Sequence, residues 1–461
     1  MTDAERVLAF DRRMAAALAE RSEPFEHGVA HFEGSLPKVY DRNYLAVEDG
    51  TTATAEELAA AADRIQGPAG LLHRKVAVDD AEGERLAPGF RRLGWQAQEL
   101  VVMVHRGEPA QVTQCYKASE AAAEEMEPFW AASAREEPHG RDEEVVRQLV
   151  GDRLHHAGPA RARWFAARDG GRVVAGCDLY SDGQVAQIES VGTLSSHRGR
   201  GLGTAVVSAA LAAAYDAGHE LVFLVADAED WPKDWYARLG FEPVWTLWDF
   251  VRTVEPLRAI RIRTPRLELR LPTEAELVEL AELAREGVHP PERMPFVVPW
   301  TNRAGKPTFV EDVCAFHLDT LARWSPDDWS LNLVAFVDGR VAGTQGVGSA
   351  GPRTVKTGSW LGTAFQDRGL GTEMRAAVLE LAFRDLGAEA AESGAFVDNP
   401  QSHRVSEKLG YRQVGEATHA PRGEPVRELL YRLEREDWAS PVPVEIENLE
   451  PALPLFGLRQ A

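Results

Sequence analysis

Three cysteines in 461 residues, Cys115, Cys177 and Cys314, stand far apart with no Cys-x-x-Cys spacing. That scarcity excludes a disulfide framework and a cysteine-bound zinc site, so no metal is expected and each thiol should pack as a small hydrophobe. No apolar run reaches the ~18–20 residues of a membrane span. The opening Met1-Thr2-Asp3-Ala4-Glu5-Arg6 lacks the basic end and apolar core of a secretion signal, which reads as a cytoplasmic protein with no membrane partner. Lysine is nearly missing, with seven among 51 basic residues against 72 acidic ones, for a formal charge of -21. A nucleic-acid surface needs clustered cations, so that partner is excluded; the negative charge reads first as a solubility feature, and it can also attract a cationic amine over distance.

What is present is a repeat. Arg198-Gly199-Arg200-Gly201-Leu202-Gly203 and Gln366-Asp367-Arg368-Gly369-Leu370-Gly371 are two copies of [Gln/Arg]-x-x-Gly-x-Gly, 168 residues apart. Each lies between a strand-like segment and an Ala-rich helix, and Thr204 or Thr372 follows its last glycine. The elements Arg238-Leu239-Gly240-Phe241 and Lys408-Leu409-Gly410-Tyr411 follow 38 and 40 residues downstream, and Arg92-Leu93-Gly94-Trp95 echoes them without a glycine loop. Successive N–H groups in such a turn, at the positive end of a helix, form a nest for diphosphate oxygens. Neither copy has the lysine of a P-loop or the third glycine of a dinucleotide fingerprint.

These motifs resemble the acyl-CoA loop of the Gcn5-related N-acetyltransferase superfamily, over roughly residues 110 to 436. The resemblance implies an α/β (α+β) fold of tandem domains with mixed, mostly antiparallel sheets, using acetyl-CoA or another acyl-CoA as co-substrate. Four segments are expected. Residues 1–108 read as a degenerate half-domain, because a βαβαβ order carries the polar turn Asp49-Gly50-Thr51-Thr52 where the loop belongs. Residues 109–254 and 258–436 read as two complete domains, and 437–461 as a proline-rich tail lying against one of them.

By the same resemblance, the reaction is transfer of an acetyl group to a small-molecule or peptide amine. Glu189, on the strand before the loop, stands at the position of the base, and Tyr236, five residues before Phe241, at that of the acid. Val191, Thr193 and Leu361 would pair with the pantetheine arm. Arg198, Gly199, Arg200, Gly201, Leu202, Gly203 and Thr204, with Gln366, Asp367, Arg368, Gly369, Leu370, Gly371 and Thr372, would surround the phosphates. Glu229 replaces an asparagine common in the family. A constant offset of 168 residues puts Thr357 in place of Glu189, and one of 170 puts Ser406 in place of Tyr236. The last domain instead resembles the branch that acetylates ribosomal-protein N-termini, in which Asn399 orders the pantetheine side and Ser402 is a candidate proton donor.

His155 and His156 read as a pair on a surface helix, His197 as a neighbour of the phosphate loop, and Trp300, Trp324, Trp329 and Trp360 as core or as walls of an acceptor cleft. The chain is expected to be a monomer or homodimer, duplication replacing the contact between single-domain relatives. The alternative function is a non-catalytic acyl-CoA sensor or scaffold, favoured for the last domain by its missing acid and base.

Overall fold

A computed structural model describes residues 1–79, 81–107, 117–137, 140 and 142–457. They form two compact units, Met1–Gln66 with His73–Arg252, and Gly67–Leu72 with Thr253–Ala461. The expected boundary near residue 108 falls inside unit 1. The sequence pattern also reads as a strand over Val112–Lys117, most of which, with Cys115, lies outside the described residues.

Unit 1 begins with α1 (Asp3–Leu18), capped by a reciprocal Thr2–Glu5 box that satisfies two free N–H donors. A hairpin that the sequence pattern did not suggest follows, β1 (Arg21–Phe25) and β2 (Gly28–Phe32). Next come β3 (Tyr44–Val47), α2 (Ala55–Gln66), β4 (His73–Val78), α3 (Glu82–Arg92) and β5 (Gln96–His105), the expected βαβαβ run. The second half contains β6 (Ala118–Ala121), α4 (Ala123–Glu136), α5 (Glu143–His155), β7 (Arg163–Asp169), β8 (Arg172–Ser181) and β9 (Val185–Thr193). It closes with α6 (Leu202–Asp216), β10 (Leu221–Asp227), α7 (Pro232–Arg238) and β11 (Phe241–Thr253).

All eleven strands join one sheet, in the order β1-β2-β3-β4-β11-β5-β10-β9-β8-β7-β6. The centre of that order is an exchange. Strand β5, the last of the N-terminal half, lies between β10 and β11 and is antiparallel to both, while β11, the last of the second half, lies between β4 and β5. Each half therefore completes the other's sheet. Val102 and Val104 of β5 are fully buried in a cluster with Phe10 of α1 and Phe223 of β10, so the N-terminal half and the second half share core as well as hydrogen bonds.

Unit 2 contains α8 (Glu255–Ala259), at the expected linker, then β12 (Arg261–Arg263), β13 (Glu268–Arg270), α9 (Glu274–Glu286), α10 (Phe309–Ala322), β14 (Ser330–Val337), β15 (Arg340–Ser349) and β16 (Thr354–Leu361). It continues through α11 (Leu370–Glu380), whose last turn is a π-turn over Leu381–Asp385, then β17 (Ala390–Phe396), α12 (Pro400–Lys408), β18 (Arg412–His419), β19 (Val426–Glu434) and β20 (Glu445–Glu447). The sheet order is β18-β19-β17-β16-β15-β14-β13-β12-β20. The slot that β19 fills beside β17 is the one that β5 fills beside β10 in unit 1.

The tail packs on unit 2. Its β20 pairs antiparallel with β12, Phe456 meets Trp329 edge-on at 4.8 Å, and the indole Nε1 of Trp324 donates to Leu455 O at 2.9 Å. Trp324 and Trp329 are thus core residues, while Trp300 and Trp360 stay partly exposed and pack together at 5.6 Å near the end of β16.

Candidate active site

The two glycine loops have one backbone shape. In unit 1 Gly199 and Gly201 are left-handed, with φ of 76° and 83°, and in unit 2 Asp367 and Gly369 are, with φ of 55° and 76°. Alternating the left-handed and ordinary conformations turns consecutive N–H groups toward one concavity, and α6 and α11 start directly after it. Glycine adopts that φ without steric cost, and aspartate is among the few other residues that tolerate it. A Cβ on Gly203 would meet the Trp235 ring at 3.3 Å and Thr193 Oγ1 at 3.7 Å, so a side chain there crowds the space between α6, α7 and the end of β9. Both loops fit a diphosphate.

Arg198 and Gln366 brace these loops. Arg198 Nε donates to Thr193 O at 3.1 Å, and Gln366 Nε2 to Leu361 O at 2.7 Å, each reaching five residues back to the end of the preceding strand. In unit 2 a second brace runs from Arg266, whose Nη1 donates to Arg368 O at 2.8 Å and whose Nε donates to the buried Glu373 at 2.6 Å.

Beside each loop the sheet splits. The parallel pairing of β9 with β10 runs from Val185–Leu221 to Gln187–Phe223 and stops, and that of β16 with β17 runs from Thr354–Ala390 to Lys356–Glu392 and stops. Beyond those points the strands diverge. The backbone of Val191 and Thr193, and that of Leu361, line the resulting gaps, where an extended chain can add hydrogen bonds as a strand does.

Strand β9 carries a bulge at this gap. Asp178 pairs with Glu189 and Gly176 with Gly192, so Ser190 and Val191 together face the single residue Cys177, and Ser190 has φ of 57°. Strand β16 pairs with β15 without interruption from Val355 to Leu361. The extra residue in β9 corrects the expected correspondence. In the cross-strand register Glu189 matches Gly358, which faces Gly346 where unit 1 has Asp178. Thr357 matches Ile188 instead, and both are buried. Unit 2 therefore has glycine at both positions where unit 1 places a carboxylate.

Glu189 is partly buried and accepts from Gln187 Nε2 at 2.8 Å. Burial pushes its pKa up to about 7, aided by the charges of Asp178 and Asp41 and opposed by a Ser190 N–H bond and by Arg153. A carboxylate poised there can take or hold a proton near neutrality. Asp178 is fully buried and is also raised by burial, against the pull of Arg153, which pairs with its Oδ2, and of Tyr180, which donates to that oxygen at 2.9 Å. Asp11 of α1 is raised too, by burial and by the charges of Asp79 and Glu189, so the N-terminal half contributes to the field around Glu189. Sequence reasoning missed Asp178, Asp11 and Asp41.

Tyr236, on α7, is buried to 8% exposure, and its pKa is raised by burial first and by the nearby Glu189 charge second. The structure thus brings Glu189 and Tyr236 into one electrostatic neighbourhood at the gap. Asn399 caps α12, its Oδ1 accepting from Ser402 N–H at 3.2 Å, and Ser402 sits on the first turn. His156 is buried with its pKa lowered to about 4 by burial and so is not a surface group, His155 Nε2 donates to Leu18 O at 2.8 Å, and His197 lies 3.4 Å from Asp169. Cys177 is buried and Cys314 half-buried. No helix among the described residues is long and apolar enough to cross a membrane.

Two family models match the chain: the Acetyltransferase (GNAT) family over residues 121–241 and the Acetyltransferase (GNAT) domain over residues 266–412. Each contains one glycine loop, and together they span more than half of the chain. Among solved structures the chain is similar to a conserved protein of unknown function from Staphylococcus epidermidis, at 17% identity and a TM-score of 0.43, covering 50% of this chain and 92% of that one. It is also similar to a GNAT-family acetyltransferase from Bacillus anthracis, at 18% identity, a TM-score of 0.29, and 38% and 99% coverage. A third is RimJ from Mycobacterium smegmatis in complex with a CoA disulfide, at 17% identity, a TM-score of 0.32, and 39% and 90% coverage.

Proposed function

Since the chain belongs to the Gcn5-related (GNAT) acetyltransferases and carries two domains of that family in tandem, we propose that unit 1 transfers an acetyl group from acetyl-CoA to the amine of a small molecule or peptide. The loop Arg198–Thr204 holds the diphosphate, and Val191 and Thr193 hold the pantetheine arm in the gap of the sheet. Glu189 removes the amine proton, directly or through water, and Tyr236 returns a proton to the departing sulfur. The observation that carries this reading is Glu189, a carboxylate with its pKa near 7 at the bulge beside the gap. The chain's formal charge of -21 supports a cationic acceptor.

Unit 2 is read as a coenzyme A-binding domain that does not use this chemistry, because Gly346 and Gly358 replace Asp178 and Glu189 and Ser406 replaces Tyr236. In it the loop Gln366–Thr372, Leu361 and the α12 start at Asn399 and Ser402 surround the ligand.

The test is steady-state acetylation of a panel of diamines and short peptides, with Glu189→Gln compared to wild type. Turnover should fall ~10²–10³-fold, within the range of general-base catalysis, while acetyl-CoA affinity measured by calorimetry stays within about twofold. Unchanged turnover would remove Glu189 as the base. Loss of binding and turnover together would make it a structural residue.

A further inference from the structure

Unit 2 buries a cation without a counterion. Arg375, on the second turn of α11, is 4% exposed, and among the described residues no carboxylate lies within ion-pair reach of it. Its Nη1 donates to Ser406 Oγ at 3.0 Å, and its Nε has no partner. An isolated guanidinium taken out of water is destabilising by several kcal/mol unless something compensates it.

The corresponding positions in unit 1 show what has changed. Arg375 matches Val207 through the loop offset, and Ser406 matches Tyr236 through the Leu-Gly-aromatic offset. A small residue and a large phenol have been exchanged for a long cation and a small hydroxyl, so the polar head now comes from α11 and meets the hydroxyl on α12. Two further buried apolar positions have become polar beside it: Phe241 corresponds to Tyr411 and Ile188 to Thr357, whose hydroxyls meet at 3.4 Å. Burial raises the Tyr411 pKa, and the Arg375 charge opposes that rise. The cluster lies where the β16–β17 pairing stops: Thr357 Oγ1 donates to Glu392 O at 3.4 Å, and Lys356–Glu392 is the last pair before the strands part.

Resting on the reading of the second loop as a coenzyme A site, we propose that unit 2 binds free coenzyme A as its thiolate, with the Arg375 guanidinium as the counterion and Ser406 and Tyr411 as neighbouring hydrogen-bond groups. Unit 1 places a proton donor, Tyr236, at this position and carboxylates opposite it. Unit 2 has neither, and so offers a fixed positive charge to the sulfur of a cofactor that has lost its acyl group. A thioester sulfur carries no charge and gains nothing from that cation. Unit 2 therefore discriminates free coenzyme A from acyl-CoA, whereas unit 1 consumes the acylated form. Binding releases the thiol proton to solvent, and no bond to carbon forms or breaks.

The experiment uses the full chain carrying Gly203→Glu to block the first loop. Coenzyme A, desulfo-coenzyme A and acetyl-CoA are titrated by calorimetry at pH 6.5 and pH 9. A thiol pKa lowered by about one unit corresponds to tenfold tighter binding of the ionised form. Coenzyme A should therefore bind about tenfold more tightly than the other two at pH 9 and nearly equally at pH 6.5, and its observed binding enthalpy should vary linearly with the buffer's ionisation enthalpy, the slope giving the protons released.

In Arg375→Met the preference should vanish while desulfo-coenzyme A still binds within about twofold, and the apo protein should melt no lower than its parent, because an uncompensated charge has been removed. Arg375→Lys should keep part of the preference. Equal binding of all three ligands at pH 9, a preference that survives in Arg375→Met, or a lowered melting temperature in that variant would each overturn the proposal. Absence of binding by all three ligands would instead remove the coenzyme A reading of the second loop.

Discussion

Glu189 and Asp178 face each other across β9 and β8, immediately before the chain bulges at Ser190. Two carboxylates in direct cross-strand opposition repel when both are ionised, so the pair favours a shared charge over two. Burial adds to this and sets Glu189 near 7. The acylation rate of unit 1, as kcat/KM under acetyl-CoA saturation, should rise with pH through a midpoint near 7. In Glu189→Gln that ascending limb should be absent, and a limb that persists would assign it to the amine substrate.

The same shift affects stability, with a determined sign. The folded value of about 7 lies above the reference of 4.5, so the folded state holds that proton more tightly than the unfolded chain. Stability from the neutral form is complete below about pH 4.5, declines as pH rises toward 7, and stays reduced above it. Glu189→Gln should therefore raise the melting temperature of unit 1 at pH 8 and leave it nearly unchanged at pH 4.5. The gain is at most about 3 kcal/mol, from 1.36 kcal/mol per unit of pKa. Calorimetric melting at the two pH values decides this, and an equal effect at both would exclude the linkage.

The exchanged strand makes the N-terminal half part of unit 1's fold. Val102 of β5 is fully buried and pairs with Val225 of β10 on one side and Trp245 of β11 on the other. Val102→Asp places an unpaired carboxylate there, at a cost of several kcal/mol. The expected result is loss of the unit 1 melting transition and of one coenzyme A site, with the unit 2 transition retained. A normal unit 1 transition would contradict the shared core.

The two loops should differ in one respect. Gly199→Ala forces a Cβ into a left-handed φ of 76° and should destabilise unit 1 by roughly 1–2 kcal/mol. Asp367, the matching residue, already holds φ of 55°, so Asp367→Gly should be neutral or stabilising. Chemical denaturation of each variant measures the contrast.

Much of this site is local and was legible in the chain. The left-handed glycines, the helices behind them and the α2, α3 and α9 boundaries follow from sterics, capping and apolar periodicity within a few residues. The same applies to Glu189 and Tyr236, each placed by its distance from a motif. Arg375 left a trace as well, a cation in the otherwise apolar run Met374-Ala376-Ala377-Val378. Its lack of a counterion did not show, because the partner it does have, Ser406, is 31 residues away.

By itself, the sequence determined the duplication, the order of elements apart from the β1–β2 hairpin, and the conformation of the two loops, all set by forces acting between near neighbours. Only the tertiary structure decided three matters. It showed that β5 and β11 change places, which depends on which sheet edges are open to pair. It showed that the bulge in β9 moves the counterpart of Glu189 from Thr357 to Gly358, since register is a property of two strands and a one-residue insertion reverses every facing. It also set the proton affinity of Glu189, because burial and the fields of Asp178, Asp41 and Arg153 arise from residues brought together from distant parts of the chain.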